Sequence, residues 1–328
     1  MKKYIFTLAF ILAIPAHQSN AEWKFGIAVG KTEIGYELTD VEAGSIDDIG
    51  EKLSEESTYV YEPDYSATEF TFDMRNGKHA ISYKIADGDV DDLYDERTPA
   101  FDASVYTSAT NTAEREEWTL SYAYSLTPNW VVSAGIYEGT LENVFTRDYS
   151  NTYNAGTIAE YDWIRDIDGT RTTTSEGTFL AIAYQNKITD KLFWFGKLGF
   201  QSNDLEIRDV NTFNARLVAV DANYQAAADQ FFSDTYGMVN STYQYTPTTV
   251  VETDGDSTVF GLGLVYVINP KNTITLEYES KTYSYDPGTG NEVACTGFSY
   301  VCDQDPPSYA AKVDEEASYF TIRYRYAF

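Results

Sequence analysis

The last eleven residues, Ser318-Tyr-Phe-Thr-Ile-Arg-Tyr-Arg-Tyr-Ala-Phe328, place an apolar or aromatic side chain at every second position and stop on a phenylalanine. Phe320, Ile322, Tyr324, Tyr326 and Phe328 share one face of a strand, and Tyr319, Thr321, Arg323 and Arg325 share the other. A sheet with lipid on one side and a polar lumen on the other must alternate in this way. Only a closed barrel leaves no unpaired backbone in hydrocarbon. The ending therefore predicts an all-β chain, a transmembrane antiparallel up-and-down β-barrel.

The other end predicts export. Lys2 and Lys3 precede an apolar run over residues 4–14, and Ser19-Asn20-Ala21 supplies the small residues that a signal peptidase inspects. The run is too short to cross a bilayer, which takes about 20 apolar residues. The expected organisation is a signal peptide over 1–21 and one barrel domain over 22–328. Aromatic residues make up 16% of the chain, 28 of them tyrosine, while the mean hydropathy is negative. That combination excludes a bundle of membrane helices and suits a barrel, in which half of each strand is polar.

A closing strand that ends on Tyr326 and Phe328 resembles those of the bacterial outer-membrane β-barrel proteins. The resemblance implies that these aromatics are the signal read by the barrel-assembly machinery. It also implies residence in the cell outer membrane, among its lipid and lipopolysaccharide.

Four short stretches carry turn chemistry between amphipathic runs: Asn76-Gly77-Lys78-His79, Leu126-Thr127-Pro128-Asn129, Ile188-Thr189-Asp190-Lys191 and Asn269-Pro270-Lys271-Asn272. Four hairpins with both termini on the same side predict ten strands and five outer loops, with twelve strands as the alternative. The outward faces are read from the alternation, beginning with Phe25, Ile27 and Val29, then Phe70, Phe72 and Met74, and Ile81, Tyr83 and Ile85. Trp23, Tyr124, Trp130, Trp194 and Tyr326 fall near turns or termini, as an inner-interface aromatic girdle would. Residues 203–256 form the longest connection. They contain an alternating piece, Arg216-Leu-Val-Ala-Val-Asp221, and an Ala-rich piece, Gln225-Ala-Ala-Ala-Asp-Gln230, which suggest a short hairpin and a helical turn outside the membrane.

Charge is concentrated in the five expected loops (39–64, 87–113, 138–176, 203–256 and 286–316), which hold 40 acidic and 8 basic residues. An acidic outer face disfavours nucleic acid and favours divalent cations, cationic ligands or basic surface partners. Asp87, Asp89 and Asp91, Asp166 and Asp168, and Asp254 and Asp256 resemble fragments of calcium loops. None completes an EF-hand, because Asp92 occupies the glycine position and Thr98 that of the closing glutamate. Weakly bound divalent cations are the only cofactor these stretches suggest.

The two cysteines, Cys295 and Cys302, stand close together in the last expected loop, with no neighbouring histidine to suggest a metal site or a thiol catalyst. In an oxidising compartment they predict a disulfide. The chain has two histidines. His17 is expected to leave with the signal peptide, and His79 belongs to the first tight turn. Ten strands would match the omptin proteases, whose family pattern couples acids to a histidine at the outer rim. Here that rim has acids without the histidine, so no enzymatic activity is expected. Lys24, Lys31, Lys84, Lys197, Arg323 and Arg325 are expected inside, with Glu69, Asp73, Arg75, Glu277 and Glu279. Opposite charges packed in a small barrel predict a salt-bridged interior. The functional expectation is a surface scaffold or recognition protein. A small cation-preferring channel is the alternative, and an omptin-like protease the third reading.

Overall fold

The computed structural model describes residues 23–42, 57–61, 64–91, 105–153, 156–157, 160–236, 238–286, 288–297, 302 and 309–328. The expected export peptide and His17 lie outside the described residues. The strands are β1 (Lys24–Glu42), β2 (Ser57–Tyr61), β3 (Asp64–Asn76), β4 (His79–Asp91), β5 (Val105–Ser125), β6 (Trp130–Tyr153), β7 (Tyr161–Lys187), β8 (Leu192–Ala219), β9 (Thr242–Asn269), β10 (Asn272–Tyr285), β11 (Gly288–Gly297) and β12 (Tyr309–Ala327). The helix α1 (Ala222–Tyr236) joins β8 to β9.

These elements close a ten-stave antiparallel barrel. Consecutive staves pair, and β12 pairs with β1, Gly26 opposite Ala327 and Glu42 opposite Ala311. The terminal Phe328 N–H donates to the Phe25 carbonyl at 2.9 Å and completes the seam. The two extra strands are not extra staves. Strand β2 continues the line of β3 along β1, and β11 continues that of β10 along β9. This decides ten staves against twelve.

All four tight turns fall where the sequence placed them. Gly77 takes a positive φ of 59° between β3 and β4, which a glycine adopts without steric cost. In the next two turns a threonine hydroxyl caps the returning strand. Thr127 Oγ1 accepts from the Trp130 N–H at 3.1 Å, and Thr189 Oγ1 accepts from the Leu192 N–H at 3.1 Å. Aromatics gather at this end: Tyr184 stands between Trp130 and Trp194, with ring centroids 4.8 and 5.6 Å away, and Tyr326 packs on Phe328 at 5.2 Å.

The opposite side of the barrel differs from the sequence expectation. Residues 138–153, 161–176 and most of 203–256 are strands rather than loops. Strands β6 and β7 stay in register from Trp130 opposite Tyr184 to Tyr153 opposite Tyr161. Strands β8 and β9 run 28 residues each, roughly 90 Å of chain at ~3.3 Å per residue, whereas a spanning strand needs only about 9–11 residues. The alternating piece at 216–219 is the end of β8, and the Ala-rich piece is α1. Asp221 caps that helix by accepting from the Asn223 and Tyr224 N–H groups at 2.9 and 3.0 Å.

The staves stay paired beyond the membrane because the alternation reverses phase instead of ending. On β8 the outward positions Trp194, Leu198 and Phe200 are exposed and apolar while Lys197 points inward. A few residues further on, Asp204, Glu206 and Arg208 point outward while Leu205 and Ile207 are buried inside. The same reversal occurs on β1 after Val29, on β4 after Ile85, on β10 after Tyr278 and on β12 before Phe320. One belt of outward apolar side chains results, and above it lies a tube with a polar exterior. Inside that tube Ile34, Leu141, Leu205, Ile207, Val251, Tyr283 and Tyr285 form a buried cluster. Lys31, expected in the lumen, instead faces outward and is exposed, because the inward side of β1 carries the even-numbered residues Gly26, Ala28, Gly30, Thr32 and Ile34.

Candidate functional site

Within the apolar belt the lumen is filled by charged side chains. Arg325 holds Asp73 bidentately at 2.6 and 2.7 Å, and Arg75 approaches the same carboxylate at 3.4 Å from the exposed mouth. Arg323 donates to Glu69 at 2.5 Å and lies 3.5 Å from Glu277. Lys84 adds a contact to Glu69 at 3.7 Å. Lys197 contacts Glu277 at 3.4 Å and also bonds Glu279, which Lys281 approaches at 3.6 Å. One level up, Arg115 pairs with Glu117 at 2.5 Å, and the Tyr319 hydroxyl donates to Glu117 at 3.1 Å.

Glu277 and Glu279 lie on β10, the stave hydrogen-bonded to β12. The structure sends both arginines mainly the other way, across β1 to β3. Bare backbone on β1 makes this reach possible. A Cβ at Gly26 would stand 2.5 Å from the Arg325 guanidinium and 2.7 Å from Asp73. Glycine serves Lys197 in the same way on β9, where a Cβ at Gly261 would lie 3.1 Å from Cε of that lysine on its way to β10. Inward glycines on a stave flanked by charged neighbours are the sequence signal for these bridges.

Above the belt, carboxylates stand directly opposite one another on the outer face. One rank runs Glu138, Glu176, Asp204, Asp254 across β6 to β9. A second pairs Asp87 with Glu116 and, further round, Glu206 with Glu252. A third runs Asp89, Glu114, Glu142 and ends, past Thr172, on Arg208. Like charges opposite one another destabilise a sheet, so these ranks are not explained by folding.

The candidate calcium-loop residues lie in this face and not in turns. Asp87 and Asp89 belong to β4, Asp166 and Asp168 to β7, and Asp254 and Asp256 to β9; the Asp91 side chain lies outside the described residues. Among the described residues no group of three or more His, Cys, Asp or Glu side chains is placed to hold a metal. Cys295 and Cys302 form a disulfide with a Cα–Cα distance of 5.3 Å, tying the end of β11 to the segment before β12. His79 sits at the tight-turn end, its Nδ1 2.6 Å from the Tyr122 hydroxyl and its ring 5.2 Å from Tyr124. That is the opposite end of the barrel from the carboxylate ranks.

No protein-family model and no curated protein matches the sequence. Among solved structures, the fold is similar to that of the outer membrane protease OmpT from Escherichia coli, with a TM-score of 0.52 and 9% identity over 94% of this chain and 99% of that one. More distant are the toluene transporter TbuX of Ralstonia pickettii (TM-score 0.34, 11% identity, 98% of this chain and 93% of that one) and the outer membrane protein OprG of Pseudomonas aeruginosa (TM-score 0.32, 11% identity, 91% and 96%). At these identities the likeness is one of architecture, and the chain has the fold of an outer-membrane β-barrel.

Proposed function

We propose that the protein is an outer-membrane anchor, closed to solutes, that lifts an acidic contact surface for cationic partners. The observation that carries this reading is the set of opposed carboxylate ranks, from Glu138 to Asp254, on a sheet face that gains no stability from them. Their uncompensated field attracts basic polypeptides, or the divalent ions that bridge neighbouring lipopolysaccharide. The lumen supports anchoring over transport, because ion pairs cross it within the belt and buried apolar side chains point into it above. A proteolytic role is disfavoured, since His79 lies at the end away from the acidic rim.

Fluorescent polylysine applied to intact expressing cells tests the reading. Wild-type cells should bind it in a salt-sensitive manner. Replacing Asp204→Lys and Glu206→Lys together should abolish most of that binding. Equal binding by the two, or discrete conductance steps from the purified barrel in a planar bilayer, would refute the proposal, the latter in favour of a channel.

A further inference from the structure

In one layer of the lumen the described charges do not balance. In the layer below the apolar cluster, the described inward side chains supply five cations, Lys84, Arg115, Lys197, Lys281 and Arg323, against four carboxylates, Glu69, Glu117, Glu277 and Glu279. Two adjoining cavities occupy the same layer. The larger, about 110 Å³, is lined by Lys84, Lys197 and Lys281, with Glu279 as its one lining carboxylate. The smaller, about 30 Å³, shares Lys281, Thr119 and Tyr137 with the first and is also lined by Arg115, Glu117, Glu138, Thr173 and Ser175. Thr173 is only 4% exposed, and its hydroxyl, like that of Ser175, has no hydrogen-bond partner among the described residues.

We propose that this chamber binds a small inorganic anion of halide size. Three ammonium groups line one chamber and, with Arg323, share the carboxylates of Glu69, Glu277 and Glu279, so one positive charge of the layer lacks a counter-charge of its own. A monovalent anion there would neutralise the surplus cation, and the unpartnered hydroxyls of the adjoining cavity would serve as further donors through bridging water. Each cavity exceeds the ~10–15 Å³ that a water molecule needs, so there is room for the ion and part of its hydration shell. The site stands apart from the acidic outer surface and opposes it in sign. Any path through this layer would favour anions despite the acidic rim.

The test uses the full chain refolded in detergent at constant ionic strength, with bromide exchanged against gluconate, which is too large for the chamber. Above its dissociation constant, each tenfold rise in bromide should raise the folding constant about tenfold. Crystals grown in bromide should give an anomalous peak among Lys84, Lys197 and Lys281. The variant Lys281→Met should lose both the peak and the bromide dependence, which separates site binding from general salt effects; Lys84→Met serves if that variant does not fold. A chamber without a peak, or a bromide dependence unchanged in the lysine variant, would overturn the proposal and leave the cavities to water.

Discussion

Replacing Arg323 by alanine tests whether the belt-level lumen is as dry as its geometry implies. Arg323 joins carboxylates on two staves, Glu69 at 2.5 Å and Glu277 at 3.5 Å, and the Glu69 side chain is only 3% exposed. After the change Glu69 would keep Lys84 at 3.7 Å and the Thr71 hydroxyl at 3.3 Å, while Glu277 would keep Lys197 at 3.4 Å. Glu69 therefore loses its nearest charge partner while remaining enclosed. Removing one side of a buried pair costs about 3–5 kcal/mol, or roughly two to three and a half powers of ten in the folding constant. Urea unfolding of the detergent-folded barrel, followed by tryptophan fluorescence and by the gel-mobility difference between folded and unfolded forms, measures it. Adding Glu69→Gln should recover part of the loss, since the stranded charge disappears. If Arg323→Ala unfolds at the wild-type midpoint, water already screens these groups. The account of a closed lumen then fails, and conductance should be found.

Two further outcomes follow from the upper tube. Ile207 is 2% exposed within the apolar cluster, so Ile207→Ala should cost about 2–5 kcal/mol in the same unfolding assay; a loss below about 1 kcal/mol would mean that water fills the tube. A cysteine at Ser233, exposed on α1, should react with a membrane-impermeant maleimide on intact cells, whereas one at Asp190, in a tight turn, should not; the reverse pattern would invert the topology.

The belt half of each stave and all four turns were legible in the sequence because both are local. A period of two and a turn residue such as Gly77 or Thr189 act over a few positions. The upper half was also written there, in runs such as Asp204-Leu-Glu-Ile-Arg208, with the apolar residues moved to the opposite parity. Reading only for outward apolar residues turned those runs into loops and inflated the count of loop charge. Lys31 was misplaced for a related reason, since its neighbours Gly30 and Thr32 give no strong polarity contrast. The partners of Arg323 and Arg325 were missed because their ion pairs cross β1 to a stave that is not a hydrogen-bonded neighbour, a reach that only the inward glycine Gly26 marks in the sequence. The carboxylate ranks depend on register across several staves, which alternation along one strand does not specify.

The phase reversal also sets how deep the protein sits. Just above Ile85 and Trp118 come Asp87 and Glu116, just above Ile136 comes Glu138, and above Leu180 and Phe200 come Thr178 and Ser202 and then Glu176 and Asp204. Sliding the barrel inward by one outward position, two residues or about 6–7 Å of strand, would bring several carboxylates into hydrocarbon at once. Each ionised group there costs on the order of 2.5–3.5 kcal/mol. Sliding outward would instead bring Trp130, Trp194 and Phe328 into water. A thinner or thicker bilayer would therefore deform around this collar more readily than the barrel would slide through it.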